Sequence, residues 1–255
     1  MREFFGFGGY LRPAEGYLSW QHLTFVTALV VVMTLLAIVL GQKNKTASAT
    51  QKNKALIWAA LLIDGVELFK IAIFCLRSEC FNPILYNLPL FLCSIQLITI
   101  PMAAFCKGRL REAALDFVAI FGLLGAVLGT YGAGNNYSCY PVLSLDNVAS
   151  GVTHCISGFA ALYILISGMT GMQKKNMPIT FGILTGFCLG AWIANTLLDS
   201  NYMFLVRGDG TPYDVLFNLV GGNVILYPLG VVAMFFLYIS GFYAIYHLCH
   251  KKATV

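Results

Sequence analysis

Residues 21–41 read "QHLTFVTALVVVMTLLAIVLG", a run with no Asp, Glu, Lys or Arg. At about 1.5 Å of rise per residue, a helix of this length covers roughly the 30 Å of hydrocarbon in a bilayer. No small-residue cleavage site follows it, so the run reads as a retained span and not as a removed signal peptide. Further apolar runs lie near 55–76, 88–106, 113–133, 147–168, 178–198 and 223–246. Of the 255 residues, 58% are hydrophobic and 11% charged, with mean hydropathy +0.77. A water-soluble domain carries roughly a quarter charged residues, too many more for this chain to coat a globule. The expected fold class is therefore all-α: a polytopic membrane protein with seven transmembrane helices. Its parts are an aromatic, Gly-rich interfacial segment at 1–20, a single membrane domain at 21–250 and a basic tail at 251–255.

Lys and Arg in the short connections set the orientation. The stretch "QKNKTASATQKNK" at 42–54 carries Lys43, Lys45, Lys52 and Lys54. Lys107, Arg109 and Arg111 follow the third run, Lys174 and Lys175 the fifth, and Lys251 and Lys252 the last. The alternate connections hold Arg77 and Arg207 only. Basic connections stay cytoplasmic, so the N-terminus is expected outside and the C-terminus inside, in a multi-pass protein of the cell membrane. This topology accounts for the net charge of +5 without a nucleic-acid partner.

The eight cysteines show no CxxC spacing, so neither a metal site nor any cofactor is expected. Cys80 and Cys139 both fall in outer connections, where an oxidising compartment permits a disulfide; two free thiols are the alternative. Asn44 in "NKT" and Asn136 in "NYS" match glycosylation sequons, a pattern common by chance.

Ionisable groups inside spans are costly, about 2.5–3.5 kcal/mol each on insertion scales, and so mark functional sites or internal pairs. The second run, "ALIWAALLIDGVELFKIAIFCL", places Asp64, Glu67 and Lys70 on one face. Lys70 and Glu67 lie roughly 9–14 Å below its outer end. In "YNLPLFLCSIQLITIP" (86–101), Cys93 is expected about six residues into the third helix, after Pro89, where the helix dipole modestly favours a thiolate. His154 lies seven residues into "NVASGVTHCISGFAALYILISG" (147–168). Asn195 and Tyr227 fall at the same outer level in the last two runs. Each has a plain alternative: an intrahelical Glu67–Lys70 ion pair, a His154 ring bonded to Ser150 or Ser157, a thiol serving as a small hydrophobe. Gly151 and Gly158 suit close helix packing. The shared depth of these groups points instead to one site.

A thiol buried alone is inert, but a base within hydrogen-bond reach makes it a nucleophile for acyl transfer. Cys93 and His154 are the expected nucleophile and base. Asn195, Gln96, Tyr227 and Lys70 are the candidate donors to the oxyanion, and Glu67 is the candidate orienter of His154. Lipid ester bonds lie at this depth.

The segments "LPLFLC" at 88–93, the His after "YPVLSLDN", "NYMFL" at 201–205 and "YPLG" in the last run together resemble the YwaF-like integral membrane family, related to transmembrane protein 164. The resemblance implies a fold distantly similar to the androgen-induced membrane hydrolases. It also implies Cys/His phospholipid acyl transfer, with those roles on Cys93 and His154. His22, Asn201 and Tyr202 would then contact substrate, and membrane phospholipids or lysophospholipids would be the partners. The chain departs from many relatives at Phe91 and Ser94, where they carry a polar and an acidic residue. A transporter or lipid-binding protein without catalysis is the second reading, with Asp64, Glu67 and Lys70 lining a path; no inverted repeat supports it. A seven-helix receptor or retinal protein is the weakest reading: 223–246 contains no lysine for a Schiff base, and the receptor signatures at the ends of the third and seventh runs are missing.

Overall fold

The computed structural model describes residues 2–251, which form helices and connections and, among those residues, no strand. In chain order the helices are α1 (Arg2–Phe5), α2 (Trp20–Lys43), α3 (Ala49–Ser78), α4 (Asn82–Tyr86), α5 (Gln96–Phe105) and α6 (Gly108–Thr130). They continue with α7 (Gly134–Cys139), α8 (Leu145–Ile166), α9 (Met177–Leu198), α10 (Tyr213–Leu219) and α11 (Leu226–Lys251). Single 3-10 turns lie at Lys174–Asn176 and Tyr202–Phe204. Lys252 and the rest of the expected basic tail lie outside the described residues.

Five segments are long and apolar enough to cross a bilayer: Trp20–Lys43, Gly108–Cys139, Leu145–Ile166, Lys174–Leu198 and Leu226–Cys249. The second expected span is the 30-residue α3. It is long enough to cross but carries Asp64, Glu67 and Lys70. The third departs from expectation. Residues 88–106 do not form one helix: α5 begins at Gln96, has 10 residues and contains Pro101. Ahead of it the chain is irregular. Pro89 has no N–H to give and disfavours helical backbone at Leu88. Irregular backbone at membrane depth persists only where protein buries it or it lines a cavity, and the second condition applies here.

Helix α6 is the centre. Its Ala- and Gly-rich surface is buried almost continuously from Ala113 to Gly122, and α5, α8 and α9 pack on it. Without a hydrophobic force between helices in lipid, close approach of small residues supplies the packing. A Cβ on Gly122 would stand 2.7 Å from the Ser157 carbonyl of α8, so the two backbones touch there. Gly158 of α8 is closed in by Ala126 and Met33, and Gly151 by Leu29 and Phe25, as their helical spacing suggests.

Two polar clusters tie the ends. At one, Arg77 of α3 makes two bonds to Asp146 of α8, at 2.9 and 3.0 Å, and Tyr10 donates its hydroxyl to the same carboxylate. The stretch around Tyr10 and Glu15 is thereby pinned over that end, with Glu15 accepting the Val142 N–H at 2.7 Å. At the opposite end, buried Asp116 of α6 accepts hydroxyls from Thr170 and from Tyr243 of α11 (2.6 Å). Tyr243 in turn meets Thr180 of α9 at 3.2 Å. The sequence reading passed over Asp116, although a carboxylate inside "REAALDFVAI" is itself the signal.

Candidate active site

The irregular stretch ahead of α5 is held from outside. Tyr202 donates its hydroxyl to the Leu85 carbonyl (2.7 Å), accepts the Leu88 N–H (3.3 Å) and sets its ring 4.9 Å from that of Phe91. Phe91 then begins a single helical turn, closed by the Ile95 N–H on the Phe91 carbonyl at 3.0 Å. The Ser94 hydroxyl folds back across it, accepting the Phe91 N–H at 3.0 Å and donating to the Phe91 carbonyl at 3.1 Å. This is one half of a capping box, in which the third residue of a turn satisfies the N–H of the residue that caps it; Phe91 has no side-chain acceptor to return the bond to the Ser94 N–H. Cys93 sits on this turn, not inside a continuous helix.

The Cys93 thiol faces a cavity of about 260 Å³, together with His154, Glu67, Lys70 and Ser94. Ile63 and Leu97 line its apolar part, and Asn87 and Asn136 its polar part. Thiol and imidazole share this cavity wall, and each rests on the backbone of α6, Cys93 at Gly125 and His154 at Gly129 one turn further on.

His154 is fixed from behind. Its Nδ1 lies 2.6 Å from the Ser150 carbonyl one turn earlier in α8, with the Ser150 hydroxyl at 3.4 Å. A carbonyl can only accept, so Nδ1 carries the hydrogen. In the neutral ring Nε2 then holds the lone pair, the tautomer a general base needs. The ring sits against α6 at Gly129, where a Cβ would overlap its Cδ2 and Nε2. One turn earlier, Gly125 brings the α6 backbone against Cys93, whose Cα and Cβ would stand 3.6 Å from a Cβ there. Nothing in the sequence reading named these two glycines. Their spacing of four on the central helix is a signal that could have found them.

The remaining expected site residues divide. Glu67 and Lys70 line the cavity as an ion pair at 2.6 Å. Glu67 is therefore engaged with Lys70, while the Ser150 carbonyl takes the orienting position beside His154. The other six stand apart from the cavity wall. Asn195 caps the 202 turn, accepting the Tyr202 N–H at 2.6 Å and donating to its carbonyl at 3.1 Å. Tyr227 is buried against the Phe217 ring. Asn201 closes the 201–209 loop through Val206, Arg207 and Asp209. His22 bonds the Thr130 carbonyl at 3.1 Å and stacks on Tyr137. Gln96 is fully buried one turn past Cys93; its carbonyl oxygen accepts from Thr99 at 3.0 Å, and its amide nitrogen has no partner among the described residues. Tyr202 acts on the cavity through the backbone it holds. Cys80 and Cys139 are free thiols. No group of three metal-ligating side chains occurs among the described residues.

These features define a class: a helical, multi-pass membrane protein whose central helix seats a thiol–imidazole pair in a cavity. The TMEM164 family profile matches residues 17–246, and the chain belongs to that family. No curated protein and no solved structure matches it.

Proposed function

We propose that this protein is a membrane-embedded acyltransferase or acyl hydrolase that takes acyl groups from lipid esters, with Cys93 as nucleophile and His154 as general base. The observation that carries the reading is a thiol and an imidazole on the wall of one cavity, seated one turn apart on α6, with the ring's other nitrogen committed to the Ser150 carbonyl. Sulfur gives its proton to Nε2 and attacks the ester carbonyl carbon, forming a C–S bond. The carbonyl electron pair moves to oxygen and returns as the C–O bond breaks. His154 protonates the departing alkoxide, leaving an alcohol and a Cys93 thioester. An acceptor hydroxyl or water then gives its proton to His154 and attacks the thioester. The C–S bond breaks, the new ester or acid leaves, and the proton returns to sulfur.

The proposed setting is the cell membrane, with seven membrane segments and the N-terminus outside. The re-entrant turn and α5 together form the third segment, and phospholipids or lysophospholipids are the substrates. The five long apolar helices, the length of α3 and the basic connections at 42–54 and 107–111 support this arrangement.

The test is lipid turnover by the purified protein in phospholipid vesicles. Cys93→Ala should abolish acyl exchange and acyl release, and His154→Ala should slow both by about a hundredfold or more. Unchanged lipid profiles with Cys93→Ala would refute the reading.

A further inference from the structure

Resting on the acyl-transfer reading, we infer that the backbone N–H groups of Cys93 and Ser94 form the oxyanion site, and that the Ser94 hydroxyl is the positioning group that holds them.

The tetrahedral intermediate places a full negative charge on the oxygen bonded to the carbon that sulfur attacks. Donors to it must therefore lie next to sulfur and must not be spent on structure. Inside a regular helix no backbone N–H qualifies, because each is bonded to the carbonyl four residues earlier. The break at Pro89 changes this. Helix-type pairing restarts only with the Ile95 N–H on the Phe91 carbonyl, so the first N–H groups of the turn, at Leu92, Cys93 and Ser94, precede any carbonyl able to accept them. Among the described residues neither the Cys93 nor the Ser94 N–H donates to a carbonyl, and both belong to the residues that carry or directly follow the sulfur. Both residues line the cavity that also holds the base. The side-chain alternatives are worse placed. Asn195 spends both ends of its amide on Tyr202, Tyr227 and Gln96 are not on the cavity wall, and Lys70 is paired with Glu67.

Ser94 supplies the rigidity. Its hydroxyl satisfies the Phe91 N–H and returns a bond to the Phe91 carbonyl, locking the two ends of the turn that aims the Cys93 and Ser94 amides. It touches no reacting atom in this scheme, and it acts through the turn.

The experiment separates attack on a carbonyl from attack on a carbon that forms no oxyanion. The full chain in vesicles is treated in parallel with an activated fatty-acyl ester and with iodoacetamide, and the rate of each adduct at Cys93 is measured. Replacing residue 94 by an α-hydroxy acid exchanges its N–H for an ester oxygen. Acylation should then fall about a hundredfold, the usual cost of losing one oxyanion donor, while alkylation falls less than about threefold. Ser94→Ala should lower the acylation-to-alkylation ratio about tenfold, and Ser94→Thr should restore it. Equal losses in the two reactions, or an unchanged ratio in both the ester and Ser94→Ala proteins, would overturn the inference. Either result leaves the acyl-transfer reading standing so long as the unsubstituted protein is acylated at Cys93 in a His154-dependent way.

Discussion

His154 shows how far a single residue's role depends on what stands behind it. Packing of its ring on Gly129 and the bond to the Ser150 carbonyl leave the imidazole one orientation and one tautomer. Gly129→Ala should therefore force the ring aside and destabilise the protein by about 1–3 kcal/mol, the usual range for overpacking. In a His154→Ala background the space is already open, so the same substitution should cost little. The resulting coupling, about 1–2 kcal/mol in thermal or denaturant unfolding, is the signature of direct contact. Additive effects would mean that Gly129 serves α6 alone. Gly125→Ala, whose Cβ would meet Cys93 at ordinary contact distance, is the matched control. Sequence spacing placed Cys93 and His154 at one depth but gave no access to this seating, because a glycine's contribution is the absence of a side chain. It also offered Glu67 as orienter, since a carboxylate is visible in a sequence and a backbone carbonyl is not.

At the scale of elements, the connection between α4 and α5 departs furthest from its reading. An apolar run of the right length reads as a helix whether or not its first third is one. Pro89 is the visible warning, whereas Pro101 sits inside the helical α5. Asn195 and Tyr202 then explain why the irregular segment stays put. Asn195→Leu removes both bonds to the Tyr202 backbone, and leaving that buried N–H and carbonyl unpaired should cost about 2–4 kcal/mol. If Tyr202 truly carries the 85–91 backbone, Tyr202→Phe should raise hydrogen exchange at the Leu88 amide without changing exchange in α8. At the Arg77–Asp146 end, burial and the bond to Asp146 push the Tyr10 hydroxyl up to about 12. A neutral phenol is thus favoured in the folded state. Its contribution is complete below the ordinary value of about 10 and is lost as pH rises through about 12. Phenolate absorbance of the folded protein compared with Tyr10→Phe checks this. Tyr10 ionising at the ordinary value would show that the hydroxyl does not clamp the segment.

For the whole molecule, the sequence carried the membrane class, the all-helical fold and the family, because bilayer burial leaves its mark on every long apolar run. It carried the candidate site only in outline. Depth brought Glu67, Lys70, Cys93 and His154 together, and the cavity holds those four. Asn195, Tyr227, His22 and Asn201 shared polarity with the site but face loop backbones and neighbouring helices. Depth along a helix can be counted in a sequence, whereas the direction around its axis depends on which helices pack where. The proposed topology puts Cys139 and Cys249, both exposed, on opposite sides of the membrane. A membrane-impermeant maleimide added to intact cells should label Cys139 and spare Cys249 until the membrane is permeabilised. Labelling in the reverse pattern would invert the orientation and move the cavity to the cytoplasmic leaflet.

The central claim is that His154 makes the Cys93 sulfur acyl-reactive, and intact-protein mass spectrometry tests it most directly. After incubation in phospholipid vesicles, the unsubstituted chain should carry a hydroxylamine-sensitive acyl adduct on Cys93. The adduct should be absent in Cys93→Ala and form at least about a hundredfold more slowly in His154→Ala. A folded protein that gains no adduct, or gains it as fast without the imidazole, would contradict the account.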